Sequence, residues 1–219
     1  MIFSNIKSKL RLGIIKYAGF TLAELLIVLG VIGIIAEMTI PTLVRDFQNQ
    51  VLKSQFKSTY ANLSSALLQV KSNLGDYPQC NYGDYSGNAE CPAFFTELAK
   101  TLKVTKTCAG SAYANGCIPN YNDYNGGGGC AGFNQNYIAN LNYAYVLSDG
   151  TIIEPYAQSS MPYIMVDLNG QSPPNKWGFD VFTFAFSKTE TYMRLLAGQC
   201  FTPESGGKTT ATMQADSFK

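Results

Sequence analysis

Apolar residues run almost unbroken from Phe20 to Ala36 (FTLAELLIVLGVIGIIA), behind a short basic leader that ends in Gly19. Seventeen helical residues at about 1.5 Å each reach about 26 Å, slightly short of the ~30 Å hydrocarbon core of a bilayer. Extension to Ile40 makes up the difference, with Glu37 and Thr39 at the interface. After Pro41 the pattern changes: Leu43, Phe47, Val51, Phe56, Tyr60, Leu63, Leu67, Val70 and Leu74 recur mostly at three- and four-residue steps, the signature of one apolar helical face. Gly75 and Pro78 then stop the helix. The two patterns predict one helix from Phe20 to Leu74, about 80 Å long, apolar all round in its first half and striped in its second. Its weak points are Gly30, Gly33 and Pro41, the last because proline has no N–H to donate.

The rest of the chain reads as short elements in loops. Residues 76–90 are rich in Tyr, Asn and Gly, and Pro92 opens a short helix over Ala93–Lys103. A loop from Thr107 to Asn136 carries three cysteines and the run Gly126–Gly129, which lacks the following helix a phosphate cradle requires. Strands are predicted at Leu141–Leu147, Thr151–Glu154, Tyr163–Leu168 and Val181–Ser187, with Asp149-Gly150 as a hairpin signal. Such a sheet needs a helix over its apolar face, and the striped half of the long helix is the available cover. From Phe201 onward the chain is polar and without periodicity.

One residue changes the meaning of the apolar run. Glu24 lies inside it, where a carboxylate at the bilayer centre costs about 2.5–3.5 kcal/mol on insertion scales, so a use beyond anchoring is expected. The small residue Gly19 precedes the run, and no small-x-small cleavage pattern follows it, which argues against an ordinary secretory signal. Charge supports an orientation: Lys7, Lys9, Arg11 and Lys16 precede the segment and hold the N-terminus on the cytoplasmic side. Removing the 19-residue leader from 219 residues leaves 200 and turns a net charge of +1 into −3, which speaks against general nucleic-acid binding. All six cysteines (Cys80, Cys91, Cys108, Cys117, Cys130, Cys200) follow the apolar run, as expected for disulfides in an oxidising compartment. Fifteen full pairings are open to them.

The residues Lys16-Tyr17-Ala18-Gly19, then Phe20-Thr21-Leu22-Ala23-Glu24-Leu25-Leu26-Ile27-Val28, with Pro41 closing the run, resemble the N-terminus of the type IV pilin and type II secretion pseudopilin superfamily. The resemblance is close over residues 16–45 and holds only in outline beyond. It implies cleavage between Gly19 and Phe20 by a prepilin peptidase, N-methylation of Phe20, and assembly into a helix-cored filament. In that setting Glu24 pairs with the N-terminal amine of another subunit, and Gly33 to Pro41 is the stretch that can lose helicity. The organisation implied is a cleaved leader 1–19, a transmembrane or filament-core segment 20–40, its amphipathic continuation 41–75, an extracytoplasmic domain 76–200 and a flexible tail 201–219. The fold class is α+β, a long N-terminal helix packed on a small antiparallel sheet, pilin-like, with disulfide-linked loops.

Other chemistry is sparse. Asp167, Asn169, Asn175 and Asp180 lie in turn-rich sequence that reads first as a plain structural loop, so no cofactor is expected, with calcium the alternative their oxygens could serve. Trp177 and Phe179 beside them read as core anchors. With no histidine, His-based triads and His-ligated metals are absent, and no enzyme is expected. The expected function is a pilin or pseudopilin subunit serving secretion, adhesion, motility or DNA uptake. Its partners would be the prepilin peptidase, other pilins or pseudopilins, an inner-membrane assembly platform and membrane lipid. The alternative is a membrane-anchored extracytoplasmic binding protein or adhesin that never polymerises.

Overall fold

The computed structural model describes residues 19–75, 90–121, 143–158, 161–188 and 193–219. Its elements are α1 (Leu22–Leu74), α2 (Glu90–Thr101), β1 (Val104–Ala109), β2 (Tyr143–Leu147), β3 (Ile152–Gln158), β4 (Met161–Asp167), β5 (Val181–Lys188), β6 (Met193–Ala197) and α3 (Thr210–Ser217). The chain divides into two compact units, Met1–Asp46 and Phe47–Lys219.

In the first unit α1 is an apolar rod with no described residue packed over it. Every large apolar side chain from Leu22 to Ile40 is half or more exposed, an arrangement water disfavours and lipid or other helices would satisfy. The helix continues through Gly33 and Pro41. The hydroxyls of Thr39 and Thr42 donate to the carbonyls of Ile35 and Thr39 at 2.9 and 2.8 Å, so local side chains serve the backbone around the proline. The stretch from Gly33 to Pro41, expected to lose helicity within a filament, is helical here.

In the second unit α1 buries Phe56, Thr59, Leu63, Ala66, Leu67 and Val70, one stripe at helical spacing. The stripe is shorter than the sequence periodicity, since Phe47 stays 64% exposed. Phe56 anchors it, its ring 5.3 Å from Phe182 and 5.5 Å from Phe184, while Phe94 of α2 meets Phe186 at 5.4 Å. The sheet beneath has six strands in the order β1-β2-β3-β4-β5-β6, every neighbour antiparallel. Register assigns its faces. Tyr145, Ile153, Val166 and Phe182 lie in one cross-strand row and share the α1 side. Cys108 and Ala144, and Val146, Ile152 and Asp167, fall on the opposite side by the same alternation, and so does Glu154, two residues on from Ile152.

That second face is also covered. The disulfide Cys108–Cys117 ties the segment after β1 across it, burying Ala112, Ile118 and Tyr121. The predicted hairpin is present: Gly150 has φ +90°, the Asp149 carboxylate accepts from Thr151 N at 3.0 Å, and a Cβ on Gly170 would collide with the Gly150 carbonyl.

Three expectations need correction. The sheet has six strands where four were read; β1 and β6 are edge strands of six and five residues, and β1 is largely exposed, so neither carries an alternating apolar signal. The short helix begins at Glu90, placing Pro92 third in the helix, still within the first turn where its missing N–H costs nothing. Residues 201–219 fold onto the domain, contrary to the expected flexible tail. Phe201 stacks 5.2 Å from Trp177, Lys208 N donates to Gly178 O at 2.7 Å, and α3, capped by Thr209, buries Thr210, Met213 and Ser217 against β5 and β6. A short helix that buries two hydroxyl side chains and one methionine shows no apolar period to read. Cys80, Cys130, the Gly126–Gly129 run and the side chain of Cys91 lie outside the described residues.

Candidate functional site

Two places gather the residues singled out in the sequence. The first is the start of α1. Gly19 and Phe20 are exposed and precede the helix, and Glu24 lies in its first turn. Thr21 N and Thr21 Oγ1 donate to the same Glu24 carboxylate oxygen at 2.8 and 2.9 Å, and Glu24 N donates to Thr21 Oγ1 at 3.2 Å. This is a reciprocal capping box, in which helix-terminal N–H groups that lack partners are satisfied by side chains. The carboxylate also sits at the positive end of the helix dipole. Glu24 therefore already has internal partners. The pattern Thr-x-x-Glu was present in the sequence, but the surrounding apolar run drew attention to the charge alone.

The second place is the turn between β4 and β5 and the sheet face beside it. The structure brings Asp167, Asn169, Asn175 and Asp180 together. Asp167 Oδ1 accepts from Asn169 N and Gly170 N at 3.2 and 2.9 Å, and Oδ2 accepts from the Tyr121 hydroxyl at 2.8 Å. Asp180 accepts from Asn175 N at 2.8 Å and Lys176 N at 2.7 Å. Asn169 Nδ2 closes onto Pro173 O at 3.1 Å, and Asn175 holds the left-handed conformation with φ +51°. Each of the four carboxylate oxygens thus accepts an N–H or O–H donor. Calcium takes six to eight oxygens, and here it would have to displace donors that close the turn. Among the described residues no group of three His, Cys, Asp or Glu side chains is placed to hold a metal. Burial raises both acids: Asp167 reaches about 8, with the Asp180 carboxylate as the second cause, and Asp180 rises mainly by desolvation. Trp177 is a buried anchor as read, while Phe179 is half-buried with its ring near Gly206.

Among the cysteines, Cys108 pairs with Cys117, and Cys200 is also disulfide-bonded. The sequence could not choose these pairs, because pairing follows from strand register and loop path. Sequence reading also passed over Glu154 and Tyr121, both buried on the face opposite α1. A lone acid at the end of a predicted strand gives no signal of which way it points.

A long N-terminal helix over an antiparallel six-stranded sheet with a disulfide-closed loop is an α+β, pilin-like fold. Residues 15–36 match the family model of the prokaryotic N-terminal methylation motif, characteristic of type IV pilins and pseudopilins. The chain thus carries the N-terminal signature of a pilin- or pseudopilin-like precursor, a type associated with a structural subunit more than with an enzyme. The motif implies handling by a prepilin peptidase and association with other pilins, and the apolar helix is consistent with membrane anchoring. No curated protein and no solved structure matches the chain.

Proposed function

We propose that this chain is a pilin or pseudopilin subunit of a type IV-like filament, held in the inner membrane by 20–40 before assembly. The observation that carries the reading is the methylation motif at residues 15–36, positioned so that a new N-terminus at Phe20 falls four residues from Glu24. Cleavage after Gly19 leaves a cationic amine, which N-methylation does not discharge. In a filament core that amine from one subunit and the Glu24 carboxylate of another form a desolvated pair, whereas either charge alone is strongly unfavourable there. The basic leader places the N-terminus in the cytoplasm, and the Cys108–Cys117 bond fits a domain exported to an oxidising compartment. Service to type II secretion, adhesion, motility or DNA uptake belongs to the same proposal.

Mass spectrometry of the chain from its native host tests it. The expected N-terminus is methylated Phe20; an intact Met1 in membrane-resident protein removes the proposal. The capping box supports one rival, a permanently anchored binding protein, since Thr21 already gives Glu24 partners within its own helix. Purified surface or periplasmic fibres that contain the chain decide for the filament, and their consistent lack of it decides for the rival.

A further inference from the structure

Glu154 lies near the middle of β3, one of the two central strands, and is fully buried. Neither of its carboxylate oxygens has a hydrogen-bond partner among the described residues. Register places it on the face shared by Cys108 and Asp167, under the segment that the Cys108–Cys117 bond and the Tyr121–Asp167 hydrogen bond hold down. Among the described residues the charged or titratable groups around it are acids: Asp167 at the end of β4, Tyr121 from the covering segment, and Asp180 before β5 beyond them. On β2 the same face carries Ala144 and Val146. The nearest strand cation by register, Lys106 of β1, is exposed and spends its ammonium on the carbonyls of Asn115 and Gly116. The chain contains no lysine or arginine anywhere between Lys106 and Lys176.

Among the described residues a charged carboxylate in this position has no counter-ion and no donor, a state that buried acids avoid by keeping their proton. We propose that Glu154 is carried as the neutral acid and serves as a proton-operated latch, its ionisation loosening the covering segment from 112 to 121, which stays tied to β1 through Cys117. Desolvation, and then the Asp167 charge, hold its proton affinity well above the ordinary carboxylate range. The folded chain therefore retains a proton that an unfolded glutamate gives up above about pH 4.3. Stability from this group is full below that pH and declines as pH rises toward the folded-state value. The segment that opens first is the one whose Tyr121 hydroxyl rests on Asp167, so loosening there uncovers the sheet face without breaking the sheet.

The test uses the full chain in detergent micelles, melted at pH 5, 7 and 9, as wild type and as the non-titrating variants Glu154→Gln and Glu154→Met. Expected is a wild-type Tm about 5 °C or more lower at pH 9 than at pH 5, with that slope at least halved in either variant that folds. Hydrogen exchange of wild-type peptides covering 112–121, corrected for intrinsic rate, should lose protection at pH 9 ahead of β3 and β4. A wild-type Tm that is flat or rises with pH, variant profiles parallel to wild type, or undiminished protection of 112–121 at pH 9 each overturns the latch. So does full recovery of the pH 9 Tm by 1 mM calcium or magnesium chloride, which would make Glu154 a cation ligand.

Discussion

Thr21 and Glu24 satisfy each other at the start of α1: the Glu24 carboxylate accepts from the Thr21 amide and hydroxyl, and the Thr21 hydroxyl accepts from the Glu24 amide. A charge in an apolar helix thus has a local home before any neighbour arrives. In the proposed filament the same carboxylate must turn from its own helix to the amine of another subunit. Glu24→Ala should insert in the membrane normally, yet reach fibres at least about tenfold less, because the partner amine is left buried and unpaired at a cost of about 3–5 kcal/mol. Immunoblots of the membrane and fibre fractions give the ratio. Incorporation equal to wild type would mean that capping is the whole role of Glu24.

The contact between α1 and the sheet rests on Phe56, wedged against Phe182 and Phe184. Phe56→Ala should cost about 3–5 kcal/mol and lower Tm by about 10 °C. Phe47→Ala, one residue type on the same helix but exposed, should stay within about 0.5 kcal/mol of wild type. Thermal melts of the two variants side by side check the pair. Equal losses would place the boundary of the packed stripe further toward the N-terminus.

Asp167 and Asp180 have their oxygens engaged by backbone amides and by Tyr121. Addition of 1 mM calcium chloride after treatment with chelator should therefore move Tm by less than about 1 °C, since an ion that binds only the folded state must raise it. A rise of about 5 °C would establish the turn as a calcium site and require its amides to turn away.

The C-terminal helix is braced by charge within its own segment. Asp216 accepts from Lys208 Nζ at 2.6 Å and Lys219 Nζ at 3.2 Å, and the hydrogen bonds to Lys208 and then Lys219 lower its pKa to about 2. With a folded value below the unfolded one, its contribution is present above about pH 3.9 and is lost as pH falls through about 2. Residues 208–219 should exchange amide hydrogens faster, after intrinsic correction, at pH 2.5 than at pH 5, and Asp216→Asn should show the faster behaviour at both. Equal protection of wild type at the two pH values would assign the docking of α3 to its apolar contacts alone. The direction is opposite to that expected at Glu154, so one pH series separates the two groups.

Much of this architecture was legible along the chain. Continuous apolar residues to Ile40 and a striped run to Leu74 predicted α1 to within two residues of its observed start, and the Asp149-Gly150 turn with its flanking apolar runs predicted β2 and β3. The N-terminal motif was readable because a signal of this kind lies on one linear segment, whose residue types alone must carry it.

What tertiary structure decided is of another kind. Strands β1 and β6 exist through hydrogen bonds supplied by β2 and β5, and α3 through the face it finds beside β5, so no local pattern announces them. The partner of Cys108 and the burial of Glu154 follow from which residues the register brings to one side of the sheet. Periodicity tells a chain which of its residues must leave water. Where a lone acid or cysteine ends up depends on the neighbours that folding assembles around it, and these come from positions far apart in sequence.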